Sequence, residues 1–585
     1  MVQVKTPYSF VPVSDKVFFP DWASLVSQDV PFSDALSGSI TFDVVARTPV
    51  YVRDGQTAGG KDSSFSKMPD GTYFLPGSSI KGEIASVLRM MSFGKMGEVA
   101  DKTYGNRNLN DRIYRERMRE VFCGWMRLTK DGAEIIDCDI PKRISIPEID
   151  KKLGTRLESF VKNRDNFKND ENRMAKKKYS LLPKGQSLRF HFVDDQELTD
   201  RMTSKNPIEP REFVTFTNGE GYAGTLVFTG QPGVRQMITD RRNGRRKWTG
   251  KFYEFVFFEY EKEIIRTVPE SIFKAFESIH ASSPDYEGFW KKKLYDGQKI
   301  PVFFILNDDD TIHSIGLSYL YKYPYKKSIR QAIPEEHKKG EMDLSECMFG
   351  TIKGDSFKGR IQFGHARAQG HPVPMEDKVF RMSQPRASFY PFYVQNGTSW
   401  DDATKISGHK RYPIRLGTQL PSPQGTKDME SKAAMLPAGT VFKETVHFHN
   451  LRPVELGALL SAITFHGNQD QCLHSIGFGK PLGYGAVSIQ NVTLEGVDVN
   501  DNRVNGIKEY MGVFEDQMSE FNHDWLSSPQ MTELILMAQG IPAGKESLFE
   551  YMELNDFRDA KRDTASLKPF SSRIGKTGYS VPSIK

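Results

Sequence analysis

Hydrophobic and polar positions alternate across residues 38–53. Ile40, Phe42 and Val44 are separated by polar or small residues, the period of two expected of a half-buried strand. A Gly- and Asp-rich stretch from Asp54 to Gly71 breaks the pattern, and Tyr73-Phe74-Leu75 leads out of it. Ile80, Ile84, Val87, Leu88 and Met91 then recur as on one face of a helix, which Ser78 or Ser79 is placed to cap. The same signals return late in the chain. Val441–Phe448 alternates, and Leu456, Leu459, Leu460 and Ile463 keep helical spacing. The run from Gly477 to Gly485 is rich in glycine, and Ala486–Leu494 reads as a last strand. The order is strand, long loop and helix early, then strand, helix, glycine loop and strand late.

Between these stretches the pattern is weaker. Strand-like runs at Ser187–Val193, Thr225–Phe228 and Phe252–Phe258 are separated by charged, breaker-rich segments. Residues 151–178 and 235–251 read as solvated surface or mobile insertions. From Asp343 order returns: Phe349-Gly350 precedes a turn and a predicted strand over Arg360–Phe363. Residues 369–435 have the Pro, Gly, Ser and Lys content of a long excursion. Trp525–Ala538 predicts a helix, and the last twenty residues read as disordered. The expected division is 1–93, 94–340, 341–498 and 499–585.

Composition narrows the class. A chain of 585 residues, 38% apolar and 26% charged, allows three or four compact units or one core with large insertions. The net charge of +6 is a mild basic bias, compatible with nucleic acid but not diagnostic of it. Cys123, Cys138, Cys347 and Cys472 form no CxxC pair, so the expectation is a reducing compartment and no disulfide framework. The N-terminus has no basic patch followed by an apolar run, and Phe255–Phe258 and Val302–Leu306 are too short to span a bilayer. A cytoplasmic protein with no membrane partner is expected.

Three segments offer chemistry. The start of the early helix, Gly77–Gly82, presents unpaired N–H groups and the positive end of the helix dipole, with Ser78, Ser79 and Lys81 adding donors. That is an anion site, or else a plain capped helix. The glycine loop fits neither nucleotide fingerprint: Lys480 is followed by Pro481 rather than Ser or Thr, and the spacing is GxGxxxG ahead of a strand. What remains is a backbone able to approach another backbone closely, carrying Lys480, or a strained turn. The third is the early loop around Gly59-Gly60-Lys61-Asp62, where a carboxylate can hold a metal ion or simply form a turn. Basic and aromatic residues interleave at Arg241–Trp248, which includes Arg245 and Arg246, and at Tyr319–Lys327. That pairing suits single-stranded RNA, or a charged hairpin and a tyrosine-rimmed strand. His447 and His449 on one strand, with Cys472 and His474, are a weak zinc pattern, and zinc is not expected.

Taken in order, these segments resemble the RAMP superfamily of CRISPR-associated proteins. The resemblance rests on FLPGSSIKG (Phe74–Gly82), DLSECMFG (Asp343–Gly350), AGTVF (Ala438–Phe442) and GFGKPLGYGAV (Gly477–Val487), and covers roughly residues 38–92 and 343–494. It implies an α+β fold: a ferredoxin-like, RNA-recognition-type βαββαβ core interrupted by a large insertion, with two tandem cores as the alternative. It implies a backbone subunit of a type III effector whose partners are CRISPR guide RNA, target single-stranded RNA and other effector subunits. Ser78, Ser79, Lys81 and Lys480 would then meet guide RNA together with the loop glycines Gly477, Gly479 and Gly483, and residues 369–435 would form a thumb; Arg245 and Arg246 are RNA-binding candidates from the basic and aromatic pattern alone. Target cleavage would use Asp62, as catalytic residue and as ligand of Mg2+ or another divalent cation, with Asp54 or Asp70 as substitutes. A subunit without nuclease activity, a guide-processing ribonuclease and a sugar- or phosphate-binding scaffold are the competing readings.

Overall fold

The computed structural model describes residues 3–585 except 54–63, 98, 100, 110–111, 168–170, 172–173, 183–187, 194–212, 240–243, 261–262, 353, 355, 384, 396–398, 402–404, 418–429, 499–505 and 563–564. The chain divides into two compact units. Unit 1 is Met1–Ala100 with Ile329–Lys585, and unit 2 is Asp101–Ser328.

Unit 1 is built on one antiparallel sheet. Its strands are β1 (Leu36–Ala46), β2 (Ile361–Phe363), β3 (Ala366–Ala368), β4 (Val441–Leu451), β5 (His474–Ser475) and β6 (Ala486–Asp498). The spatial order is β5, β6, β1, β4, β3 and the short strand Phe74–Leu75, with β2 also paired to β4. Alternation drives this arrangement: Leu36, Ile40, Phe42, Val44 and Ala46 point to one face of β1 and all are buried. Helix α1 (Gly77–Met91) follows β1, and α2 (Pro453–Thr464) follows β4. Leaving aside β2, β5 and Phe74–Leu75, the elements run β1, α1, β3, β4, α2, β6, with sheet order β6, β1, β4, β3. The apolar stripe predicted for α1 is the buried one: Ile80, Ile84, Val87, Leu88 and Met91.

Helix α2 is buried from Val454 to Thr464, because two further helices cover it or its neighbours. Helix α3 (Ile507–Phe521) packs on α2, and α4 (Pro529–Gln539) packs on α1. Pro529 begins α4, so the helix expected over 525–538 starts four residues later, after a single tight turn at Trp525–Ser527. The last twenty residues are ordered, contrary to expectation. Phe570, Ile574 and Val581 are buried, and the Glu533 carboxylate accepts the N–H groups of Phe570 (2.8 Å) and Ser571 (3.1 Å). Three anchors so widely spaced carry no periodicity a sequence can show.

Residues 369–435 are tied down at several points. Lys378–Arg381 pairs with Glu430–Ala433, and His409–Arg411 pairs with Ser9–Val11. One buried ion pair fixes the entry to α2: Arg360 meets both Glu455 oxygens, and Glu455 also accepts the Arg452 N–H (2.9 Å) and the Trp22 indole N–H (3.3 Å).

Unit 2 has a five-stranded antiparallel sheet in the order Ile264–Thr267, Gly132–Asp137, Phe122–Thr129, Ile300–Leu306, Ile312–Gly316. The strand-like runs near 187–260 join Lys142–Ser145 and Phe213–Phe216 in a closed barrel of five short strands. Among the described residues no helix is long and apolar enough to cross a membrane.

Candidate functional site

The start of α1 is shaped by what lies against Gly77. A Cβ there would sit 2.0 Å from the Gly364 carbonyl oxygen and 2.6 Å from that of Phe363, so only glycine fits. The Gly77 N–H donates to His365 Nδ1 (3.1 Å), and the His365 ring lies 4.8 Å from that of Phe74. This corrects the expected cap. Pro76 occupies the cap position without a side-chain bond, and Ser78 and Ser79 lie inside the first turn, exposed and half-buried respectively. His365, from the loop between β2 and β3, takes the first free donor instead. Lys81 donates to the Phe349 carbonyl (3.2 Å), which ties α1 to the helix Leu344–Phe349.

The glycine loop is a run of left-handed turns: φ is +81° at Gly477, +81° at Gly479, +91° at Gly483 and +77° at Gly485. It lies on the segment just after β1. Phe478 N–H donates to the Tyr51 carbonyl (2.9 Å) and Gly485 N–H to that of Pro49 (3.0 Å). A Cβ at Gly477 would come within 2.2 Å of the Tyr51 oxygen, so this is the close backbone approach the sequence suggests, made to the protein's own chain.

Glu83 brings helix and loop together. Its Oε1 accepts from Arg411, from His474 Nδ1 (3.3 Å) and from the Ser475 N–H (3.4 Å). Burial opposes its ionisation, but Arg411, His474 and Lys480 outweigh burial and hold the carboxyl well below its usual range. Lys480 stands beside this knot. It makes no hydrogen bond or ion pair among the described residues, and it is half-buried. Burial lowers its pKa, Glu83 counters that and Arg411 adds to it. Lys410, exposed on the strand His409–Arg411, feels the charge of Lys480. One carboxylate thus stands among the cations Arg411, Lys480 and Lys410, which leaves net positive charge where α1 and the loop meet.

Glu444 is a second buried carboxyl, on the inward face of β4 with Phe442 and Val446. Among the described residues neither oxygen makes a hydrogen bond of good geometry, and burial, opposed a little by the nearby Gly364 N–H, pushes its pKa up to about 8. It lies next to Gly364, whose carbonyl packs on Gly77.

The other expected residues fall elsewhere. Asp62 and Asp54 lie outside the described residues, as do residues 418–429 of the expected thumb. Asp70 is exposed; Thr72 N–H (2.9 Å), its own turn and Arg367 (3.6 Å) hold it. Arg245 and Arg246 are exposed on a hairpin of unit 2. In the second basic-aromatic stretch, Tyr321, Tyr323 and Tyr325 are buried rather than offered for stacking: Tyr321 Oη bonds Ser314, and Tyr323 stacks on Tyr114. His474 also bonds the Ile463 carbonyl (2.9 Å), and among the described residues no three His, Cys, Asp or Glu side chains converge to hold a metal.

Sequence reasoning missed Glu83, Arg411, His365 and Glu444. Only Glu83 left a mark, an acid inside the stripe Ile80, Ile84, Val87 where a core residue is due.

No curated protein matches this chain. Two solved structures are similar over 77% of it and 96% of their own chains, each at 11% identity. They are described as "Cryo-EM structure of the Type III-B Cmr-beta bound to cognate target RNA" (TM-score 0.18) and "Type III-B Cmr-beta Cryo-EM structure of the Apo state" (TM-score 0.17). A family model described as the RAMP superfamily matches residues 43–488, a span that begins within β1, ends within β6 and includes α1, α2 and the glycine loop. With well over half its length so matched, the chain belongs to the RAMP superfamily.

Proposed function

We propose that this chain is a guide-RNA-binding backbone subunit of a type III CRISPR effector, and that its six-element core in unit 1 is the ferredoxin-like fold. Membership of the superfamily supports the class. The observation that carries the reading is the knot at Glu83: α1 and the glycine loop are joined there with an excess of cations, and Lys480 makes no hydrogen bond or ion pair among the described residues. RNA phosphate neutralises such an excess. The exposed Lys410, which feels the charge of Lys480, extends the same cationic patch, and the exposed Ser78 hydroxyl stands in the first turn of α1.

Target cleavage belongs to the proposal through Asp62, with a divalent ion as the resemblance implies. The described residues offer no set of ligands for that ion, so no step is routed through it. The guide-processing alternative needs a free histidine near the loop, and His474 is buried between Glu83 and Ile463.

Sequencing the RNA that co-purifies with the protein tests the binding reading. Repeat-derived guides are expected, and a random transcript population overturns it. Asp62→Ala in the assembled complex tests cleavage: loss of one cut site supports the assignment, and unchanged cutting at every position removes it.

A further inference from the structure

Unit 2 contains a cavity of about 720 Å³ that the guide-binding proposal does not use. Pockets of roughly 300–1,000 Å³ hold small organic ligands. Its charged lining is unequal: Arg107, Arg143, Arg235 and Lys251 face one carboxylate, Asp285. Its apolar lining includes four aromatic rings, Phe252, Tyr253, Phe255 and Tyr319, beside Met174, Leu317 and Leu320.

Packing fixes the cations before any ligand arrives. The Arg235 guanidinium lies 4.1 Å from the Phe252 ring centre and 4.7 Å from that of Trp248. Its side chain makes no hydrogen bond among the described residues, and its Nε is buried without a partner. Arg143, only 8% exposed, lies 4.8 Å from the Tyr319 ring centre, and that ring is nearly parallel to Phe255 (14°). Lys251 donates to Thr229 Oγ1 (2.6 Å) and to Glu254. Glu254 is fully buried and also pairs with the buried Lys178, so two ammonium groups share one carboxylate. Burial pulls Lys251 down to about 7; Glu254 opposes this and Lys178 reinforces it. Asp285 is a second carboxylate that both ammonium groups feel, so the excess charge of the wall lies with its arginines, and an anion in the cavity meets that excess.

We propose that this cavity is a nucleotide-binding site, its aromatic wall stacking a base and Arg143, Arg235 and Lys251 taking the phosphate. Each half of the lining argues against a simpler occupant. A bare phosphate makes no use of four aromatic rings, and an apolar ligand leaves the buried Arg235 Nε without an acceptor. The same chemistry is offered by a free mononucleotide and by one unstacked nucleotide of an RNA strand.

Calorimetric titration of the full-length protein tests this. The probes are AMP, GMP, CMP and UMP, with inorganic phosphate and adenosine as half-ligands and pentaribonucleotides as the strand form. At least one nucleotide is expected to bind saturably and at least tenfold more tightly than either half-ligand. Mononucleotides matching the pentamer indicate a free-nucleotide site. A pentamer preferred tenfold or more, with the preference lost in Arg235→Ala and kept in Lys480→Ala, indicates a nucleotide of a strand. Arg235→Ala and Tyr319→Ala, each checked for an unchanged melting temperature, are expected to weaken binding at least tenfold. If either fails to fold, Arg235→Lys, which keeps the charge and loses the planar stack, replaces it. Lys480→Ala in unit 1 separates the two proposals, because it is expected to leave mononucleotide binding untouched. The assignment is overturned if no nucleotide or pentamer binds, if phosphate alone binds as well, or if the unit 2 variants bind like the parent while Lys480→Ala does not.

Discussion

Glu83 in unit 1 and Glu254 in unit 2 share a predicament that Glu455 does not. All three carboxylates are buried, and all three are ion-paired. Glu455 faces one guanidinium, Arg360, and both of its oxygens are taken. Glu83 and Glu254 are outnumbered. Glu83 has Arg411 in contact and Lys480 and His474 beside it, and Glu254 has Lys178 and Lys251. A balanced pair offers a ligand nothing, so its role is to hold β2 against the start of α2. An outnumbered carboxylate stands beside excess positive charge, at the loop in one unit and on a cavity wall in the other. Under the two proposals above, the charge balance of a buried pair, rather than its burial, separates fold-holding groups from those beside a ligand.

The comparison breaks first if the balanced pair proves dispensable. Glu455→Ala leaves Arg360 charged and fully enclosed, and a loss of about 3–5 kcal/mol is expected in denaturant melts. The double variant Arg360→Met, Glu455→Leu removes both charges and is expected to regain most of that loss. A double variant no better than the single one means that the bonds from Arg360 to the Cys347 carbonyl (3.1 Å) matter more than the pair.

Unpaired Glu444 sharpens the comparison through pH. Folding raises its pKa from about 4.5 to about 8. The unfolded chain therefore releases this proton before the native one does. The stability it confers is complete below pH 4.5 and is lost as the pH rises through 8, a change of a few kcal/mol at about 1.36 kcal/mol per unit. Glu83 has the opposite sign. Its pKa is depressed, so its contribution is present above about pH 4.5 and is lost as the pH falls through the lower native value. Glu444→Gln should flatten the melting profile between pH 5 and 8, and Glu83→Gln should flatten it on the acid side. A profile unchanged by Glu444→Gln means the carboxyl finds water or a partner in solution.

Much of the core was legible because it is periodic. The alternation at Ile40, Phe42 and Val44 and the spacing of Ile80, Ile84, Val87, Leu88 and Met91 predict elements that the structure contains. Local glycine chemistry was also legible, since positive φ at Gly477, Gly479, Gly483 and Gly485 is a property of the loop itself. The knot was not legible. Glu83 meets Arg411 and His474 across more than 320 residues, and no local pattern encodes such a meeting. The cavity of unit 2 was hidden for the same reason: Arg143, Arg235, Lys251 and Tyr319 come from four separate segments. Tyrosine spacing misled, because Tyr321, Tyr323 and Tyr325 stand among Lys322, Lys326 and Lys327 and still turn inward.

The smallest expected effect is the most direct test of what the uncompensated charge at Glu83 is for. Lys480 makes no hydrogen bond or ion pair among the described residues, and the cost of holding its ammonium half-buried outweighs its attraction to Glu83. Replacing it with Ala should therefore leave the melting temperature unchanged or slightly higher. Lys81 differs, since its ammonium bonds the Phe349 carbonyl, and Lys81→Ala should cost about 1 kcal/mol. If Lys480 meets an RNA phosphate, Lys480→Ala weakens single-stranded RNA binding several-fold at low salt. It also reduces the slope of log K against log salt by about 0.7, the value for one phosphate contact on a single strand. Filter binding across a salt series measures both quantities at once. A lower melting temperature with an unchanged slope would make Lys480 a structural residue and move the guide contact away from the glycine loop.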